Sequence, residues 1–253
     1  MIKDKKNFKI LLVYPNLPLM LVPPLSMAIF TKLLKTKGYN VDLFDTTSYI
    51  PEEANSSPQN RTLYLQARDF NDEDDLGVAI KTDLYGDFRK KVFKFEPDLI
   101  IFSIVEDAFI KALKMMDNIA DYDCVKISGG VLPTADPEYV LNTKQINFIA
   151  NGEGEITLPD VAEVVRKKGD LKTIKGTWFK ENDGKISKNP RNKLVDINES
   201  LPDYSLFDPR RFFRPMGGKI FKTIPVETYR GCPYKCTFCN SPAKNDIAKK
   251  LGQ

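Results

Sequence analysis

Short apolar runs recur along the first 150 residues, and segments with helical periodicity separate most of them. The first run is Lys9–Tyr14, and the later runs are residues 41–45, 98–104, 125–128 and 146–150. Helical patterns cover residues 24–38, 77–93, 109–122 and 156–168. Apolar strands that alternate with amphipathic helices are typical of a parallel sheet with both faces buried. The order therefore predicts an α/β fold with a doubly wound, Rossmann-like parallel sheet.

Several small or polar residues follow the predicted strands, where a parallel sheet binds its ligands. Among them are Pro24, Ser103, Glu106, Gly129, Gly130 and Glu153. The paired glycines allow a bulky ligand to approach the backbone, but they are also ordinary turn residues, and both explanations stay open. No G-x-G-x-x-G motif follows the first strand, so a dinucleotide fingerprint is missing.

Composition narrows the class of protein. The chain has 253 residues, of which 42% are hydrophobic and 28% charged, with a formal net charge of +4. No apolar run approaches the roughly 20 residues of a membrane span, and the scattered lysines do not indicate nucleic-acid binding. There is no histidine, which removes the commonest general base and metal ligand. Unpaired thiols without a secretory signal point to the cytoplasm.

Three cysteines near the end of the chain constrain the chemistry most. Cys232, Cys236 and Cys239 have the spacing C-x3-C-x2-C. Three thiolates this close together can hold three irons of a [4Fe–4S] cluster and leave the fourth iron open to a substrate or cofactor.

Other uses of these cysteines are less consistent with the sequence. A structural zinc site usually takes four ligands, and the one further cysteine, Cys124, lies in an apolar run typical of a buried strand. A disulfide framework does not fit a long, lysine-rich chain without a secretory signal.

The cysteine spacing, with Phe238 before the last cysteine, resembles the signature of radical S-adenosylmethionine (SAM) enzymes. The resemblance implies that SAM chelates the open iron and that its reductive cleavage releases a 5′-deoxyadenosyl radical. It also implies that Phe238 packs near the SAM adenine, and that a flavodoxin or ferredoxin supplies the electron.

Four further motifs resemble the cobalamin-binding half of cobalamin-dependent radical SAM proteins. They are, in chain order, PPL, GGVLPT, NGEGE and LPDYSLFD. The resemblance implies that Ser103, Gly129 and Gly130 contact the corrin or its nucleotide tail, with Pro24, Glu106 and Glu153 nearby. Without histidine in the chain, the cobalamin is expected base-off with no histidine ligand.

The resemblance favours methyl transfer to an unactivated carbon, and the sequence does not identify the substrate. Two alternatives remain open. One is a cobalamin-binding or sensory module without catalysis. The other is a radical SAM enzyme whose α/β domain no longer binds cobalamin.

Three regions are expected along the chain. Residues 1–190 form the α/β domain, which ends in a hairpin around Asn182-Asp183-Gly184, with residues 51–75 as an exposed insertion. Residues 191–222 form an interdomain linker, and residues 223–253 begin a (β/α) barrel with a strand at 223–229. Such a barrel needs roughly 250 residues. The sequence is therefore expected to be an amino-terminal fragment that is inactive alone.

Overall fold

The computed structural model describes residues 2–18, 20–50, 77, 79–217, 219–239, 241, 242, 246 and 249. Its centre is a seven-stranded sheet with the strand order β2-β1-β3-β4-β5-β6-β7. The strands are β1 (Lys9–Tyr14), β2 (Asn40–Asp45), β3 (Leu99–Ser103), β4 (Val125–Gly129), β5 (Phe148–Ala150), β6 (Thr177–Lys180) and β7 (Ile186–Lys188). The first five strands pair in parallel, and β6 and β7 extend the sheet as an antiparallel hairpin. This is the parallel-dominated α/β sheet that the apolar runs predict.

Helices cover both faces of the sheet. They are α1 (Leu25–Thr36), α2 (Leu84–Phe95), α3 (Phe109–Asn118), α4 (Val131–Ala135), α5 (Pro137–Leu141) and α6 (Gly154–Lys167). Ile10 and Leu12 of β1 pack in the core beneath α1 and α6, whereas Leu11 and Val13 pack in the core beneath α2, α3 and α5. Successive residues of a strand point to opposite faces, so a strand covered on both faces must be apolar throughout.

Over residues 1–190 the predicted elements lie close to the observed ones, with two differences. The second helical pattern begins later than expected, because Asp83 caps α2 by accepting a hydrogen bond from the Gly86 amide at 2.9 Å. The short helices α4 and α5 follow β4 where no helix was predicted. The expected insertion at 51–75 lies outside the described residues.

The segment after β7 packs against the sheet domain before it reaches the cysteines. Phe207 and Phe212 are buried in the core beneath α1 and α6, and Tyr204 contacts both rings. A two-stranded antiparallel pair follows, formed by β8 (Phe213–Met216) and β9 (Lys219–Lys222). The strand expected at 223–229 is absent from the described structure, where this stretch is irregular. Pro225 interrupts the stretch, and no described strand pairs with it.

Candidate functional site

The carboxyl ends of the parallel strands form one edge of the sheet, and most of the predicted site residues lie there. Pro24 precedes α1, Ser103 ends β3, and Glu106 is exposed in a short 3-10 helix after it. In the sheet, β2 lies on one side of β1 and β3 lies on the other. The strand order therefore reverses between β1 and β3. Such a reversal opens the crevice in which α/β sheets bind ligands.

Gly129 and Gly130 have a structural explanation at this edge. Gly130 has φ +110°, and a Cβ there would lie 2.6 Å from the Ile104 carbonyl oxygen. The Ile104 amide donates to the Gly129 carbonyl at 2.8 Å, so the chain leaving β3 packs directly on the chain leaving β4. The close approach that requires Gly130 is therefore one between two segments of the protein's own backbone.

Several apolar side chains are exposed along the same edge. Leu17, Met20 and Val22 lie in the β1–α1 loop with 38–50% of their surface exposed, and Val131, directly after β4, is 39% exposed. Apolar residues grouped at a ligand-binding edge are typical of a site for a large, partly apolar ligand.

A polar network orders the β1–α1 loop beneath these residues. The buried Asn16 donates to the Met20 carbonyl at 3.0 Å and to the Thr47 hydroxyl at 2.9 Å, and its amide donates to the Thr46 hydroxyl at 2.8 Å. Lys111 of α3 donates to the Asn16 carbonyl, and burial lowers the pKa of this lysine. The network holds the loop at the point where the strand order reverses.

Arg211 is a buried residue of this region that the sequence does not reveal. Its side chain is 3% exposed, pairs with Asp45 at the end of β2, and donates to the carbonyls of Met20, Leu21 and Val22 at 3.2–3.3 Å. Burial lowers the pKa of Arg211 to about 10, so the guanidinium is charged at neutral pH. The segment after the hairpin thus holds the β1–α1 loop.

A second arginine closes the end of β5. Arg191 donates to the side-chain oxygen of the buried Asn151 and to the Thr134 carbonyl at 3.3 Å. Asn151 in turn donates to the Pro133 carbonyl at 3.0 Å. These bonds join α4, which follows β4, to the loop after β5.

Both carboxylate oxygens of Glu153 contact other residues of the protein. It pairs with Arg230 at 3.0 Å, and its second oxygen accepts a hydrogen bond from the Val195 amide at 2.7 Å. Arg230 also pairs with Glu155 at 2.9 Å and binds Glu227 through two nitrogens at 2.8 and 3.0 Å. The hydrogen bond to Glu227, the first of several acidic contacts, raises the pKa of Arg230.

The cysteine loop follows Arg230 directly. Cys232 is half-buried, whereas Cys236 and Cys239 are exposed, and Phe238 is 91% exposed. The Cys239 amide donates to the Cys236 carbonyl at 3.2 Å, and the Ser241 amide donates to the Cys239 sulfur at 3.4 Å. In the part of the chain that the structure describes, no three His, Cys, Asp or Glu side chains are gathered as a preformed metal site.

The donor chemistry of the loop nevertheless fits an iron–sulfur cluster. Cluster irons are held by cysteine thiolates, and amide hydrogen bonds to the sulfurs, like that from Ser241, are part of such sites. The protein ligands of a metal site often come together only when the metal binds. The roles predicted for the three cysteines and Phe238 remain predictions.

Comparison with known proteins identifies the relatives of this arrangement. No family model matches the chain. An uncharacterized methyltransferase of Pyrococcus horikoshii is 32% identical over 167 residues, which are 62% of this chain and 34% of the relative. The cobalamin-dependent SAM radical enzyme OxsB, solved with aqua-cobalamin and SAM, matches 79% of this chain and 24% of its own with a TM-score of 0.55 and 20% identity. The predicted resemblance to cobalamin-dependent radical SAM proteins is confirmed as a likeness of fold.

A second solved structure matches a larger share of this chain. The radical SAM methyltransferase TsrM of Kitasatospora setae, solved with cobalamin and a [4Fe–4S] cluster, aligns with 92% of this chain and 41% of its own. Its TM-score is 0.58 at 18% identity, a likeness of fold. The chain spans about a third of the length of the Pyrococcus relative. Among the described residues, no helix is long and apolar enough to cross a membrane.

Proposed function

We propose that this chain belongs to a cobalamin-dependent radical SAM enzyme and contributes both cofactor-binding elements to it. The observation that carries the proposal is the placement of a C-x3-C-x2-C loop beside the ligand-binding edge of the sheet. The ion pairs of Arg230 with Glu153 and Glu155 support that placement, because both carboxylates lie at the start of α6, which follows β5. We further propose that the sheet forms a doubly wound, cobalamin-binding Rossmann-like domain, followed by the start of a radical SAM barrel.

In this proposal Cys232, Cys236 and Cys239 hold a [4Fe–4S] cluster whose fourth iron binds SAM. When bound, the cluster with SAM supplies a 5′-deoxyadenosyl radical, and cobalamin supplies a methyl group. Cys236 and Cys239 are accessible to an incoming cluster, and Phe238 is exposed and free to pack on the adenine of SAM. A flavodoxin or ferredoxin is the proposed electron donor.

The α/β edge would hold cobalamin in a base-off state. The exposed Leu17, Met20, Val22 and Val131 provide an apolar surface for the corrin, and Ser103 offers a half-buried hydroxyl beside it. With no histidine in the chain, no imidazole of this chain can bind the cobalt. The contacts of Gly129, Gly130, Pro24, Glu106 and Glu153 with the cofactor remain proposals.

Methyl transfer to an unactivated carbon is the proposed reaction. The Pyrococcus relative and the TsrM structure both carry the name methyltransferase, which supports this reaction type.

One observation favours a second candidate, in which the α/β domain no longer binds cobalamin and acts as a scaffold. Gly130 is explained by backbone packing on Ile104, so Gly130 does not require a corrin.

Binding of the two cofactors to separate elements tests the proposal. The purified chain would be reconstituted anaerobically with iron and sulfide, incubated with hydroxocobalamin and desalted, and its iron and cobalt measured. We expect both metals in the wild type, loss of iron with cobalt largely retained in Cys236→Ala, and no change in Cys124→Ala, which lies outside the site. Iron without cobalt would favour the scaffold candidate, cobalt without iron would favour a binding module, and equal loss of both in Cys236→Ala would contradict separate elements.

A further inference from the structure

One arginine joins the cysteine loop to the sheet domain. The side chain of Arg230 contacts three carboxylates: Glu227 in its own segment, and Glu153 and Glu155 at the start of α6. We call these four residues the Arg230 junction. Glu153 also accepts a hydrogen bond from the Val195 amide, so the junction gathers three stretches of chain that are distant in sequence.

The junction is more enclosed than an ordinary surface ion pair. The side chains of Arg230, Glu153 and Glu227 are 26%, 20% and 22% exposed, and Glu155 is 11% exposed. Ion pairs that are shielded from water and share several hydrogen bonds contribute more than exposed pairs. The planar guanidinium can serve three carboxylates at once, which a lysine ammonium does not reproduce.

The distance from the junction to the cluster ligands is short. Gly231, with φ +97°, turns the chain directly after Arg230, and Cys232 is the next residue. Two residues extend over at most about 7 Å. The position of Arg230 therefore limits where the first cysteine of the loop can lie.

We propose that Arg230 is a positioning residue that fixes the cysteine loop against the carboxyl end of β5 and so links occupancy of the two cofactor sites. This inference rests on the proposed function. Glu153 and Glu155 act in it by holding Arg230, and Glu153 then needs no direct contact with cobalamin. Because linkage is reciprocal, a loaded cluster should tighten cobalamin binding by the same factor by which cobalamin stabilises the cluster.

The positioning role can be measured without any cofactor. Hydrogen–deuterium exchange of peptides covering residues 223–239 would be compared in wild type, Arg230→Lys and Glu155→Gln. The matched control is Arg89→Lys, because Arg89 binds Asp121 through two nitrogens at 2.6 and 2.7 Å on the far side of the sheet from α6. We expect exchange in the cysteine loop to rise about tenfold in Arg230→Lys and less in Glu155→Gln, with no change in the control. Unchanged exchange in Arg230→Lys would overturn the proposal.

The linkage is tested by the affinity for hydroxocobalamin before and after cluster reconstitution. We expect the cluster to tighten binding about fivefold or more in the wild type and in Arg89→Lys, and the factor to fall toward one in Arg230→Lys. A residue that only stabilises the fold would not remove this factor. If cluster reconstitution leaves the affinity of the wild type for hydroxocobalamin unchanged, the linkage is refuted. A wild type that binds neither iron nor hydroxocobalamin would refute the proposed function, and exchange alone would then decide whether Arg230 holds the loop.

Discussion

The buried ion pair between Arg211 and Asp45 leads to a sharp prediction about stability. Arg211 is 3% exposed and Asp45 17% exposed, and the pair joins the segment after the hairpin to the end of β2. Asp45→Asn keeps the shape of the side chain and an oxygen that can accept from the Thr47 amide and hydroxyl. It removes the negative charge and leaves the guanidinium buried without its counter-charge.

Removing one partner of a buried pair costs about 3–5 kcal/mol. For a chain of this size each kcal/mol lowers the melting temperature by about 2–4 °C, so Asp45→Asn should melt about 6–20 °C lower than the wild type. The measurement is the free energy of unfolding from urea titration, supported by thermal melts.

Asp42 provides a matched control on the same strand. It pairs with Lys91, and both side chains are 31% exposed, so Asp42→Asn should cost about 0–1 kcal/mol. Equal effects of the two substitutions, or a smaller effect at Asp45, would refute the argument that Arg211 depends on a buried counter-charge.

Three further predictions concern the glycine pair, acid stability and thiol chemistry. Gly130→Ala should lower the free energy of unfolding by about 2–4 kcal/mol in urea titration, because residue 130 has a positive φ and the added Cβ would lie 2.6 Å from the Ile104 oxygen. The control Gly184→Ala also has a positive φ but has open space for the Cβ, so it should cost about 1 kcal/mol. Hydrogen bonds from Arg166 hold the pKa of Glu163 well below its usual range. The Glu163 carboxylate therefore stabilises the fold fully above its unfolded pKa, and this contribution decreases as the pH falls below about 4.5. Between pH 5.5 and 3.5 the urea midpoint of Glu163→Gln should fall less than that of the wild type. Burial raises the pKa of Cys124 to about 11. Iodoacetamide at pH 8 should therefore alkylate Cys124 about a hundredfold more slowly than the exposed Cys236, as measured by mass spectrometry. Equal alkylation rates of the two thiols would contradict the burial of Cys124.

The strands of the sheet could be predicted well because burial on both faces makes them apolar throughout. The first run, Lys9–Tyr14, coincides with β1, and the run at 41–45 misses only the first residue of β2. The helices α4 and α5 were not predicted because each has only five residues, too few to show a helical period. The pattern at 223–229 resembled a strand, but a strand also needs a neighbour to pair with, which local sequence does not show.

The candidate site could be predicted only as residue types and positions along the chain. The cysteine spacing is local, and the sequence therefore reveals it fully. Arg211 and Arg230 act through contacts with residues that are far away in sequence; Arg211 and Leu21, for example, are 190 positions apart. Nothing in the local pattern distinguishes them from surface arginines. The pairing of Glu153 with Arg230 likewise depends on tertiary structure and suggests a holding role for a residue that the resemblance placed near cobalamin.

The central claim is that three cysteines of this chain hold a cluster with one open iron. Mössbauer spectroscopy of the chain reconstituted with ⁵⁷Fe, before and after addition of SAM, tests it most directly. The account predicts about four irons per chain in a [4Fe–4S] cluster, with SAM changing the signal of about one iron in four. The claim would be contradicted if the chain takes up no cluster, or if SAM changes the Mössbauer signal of none of the irons.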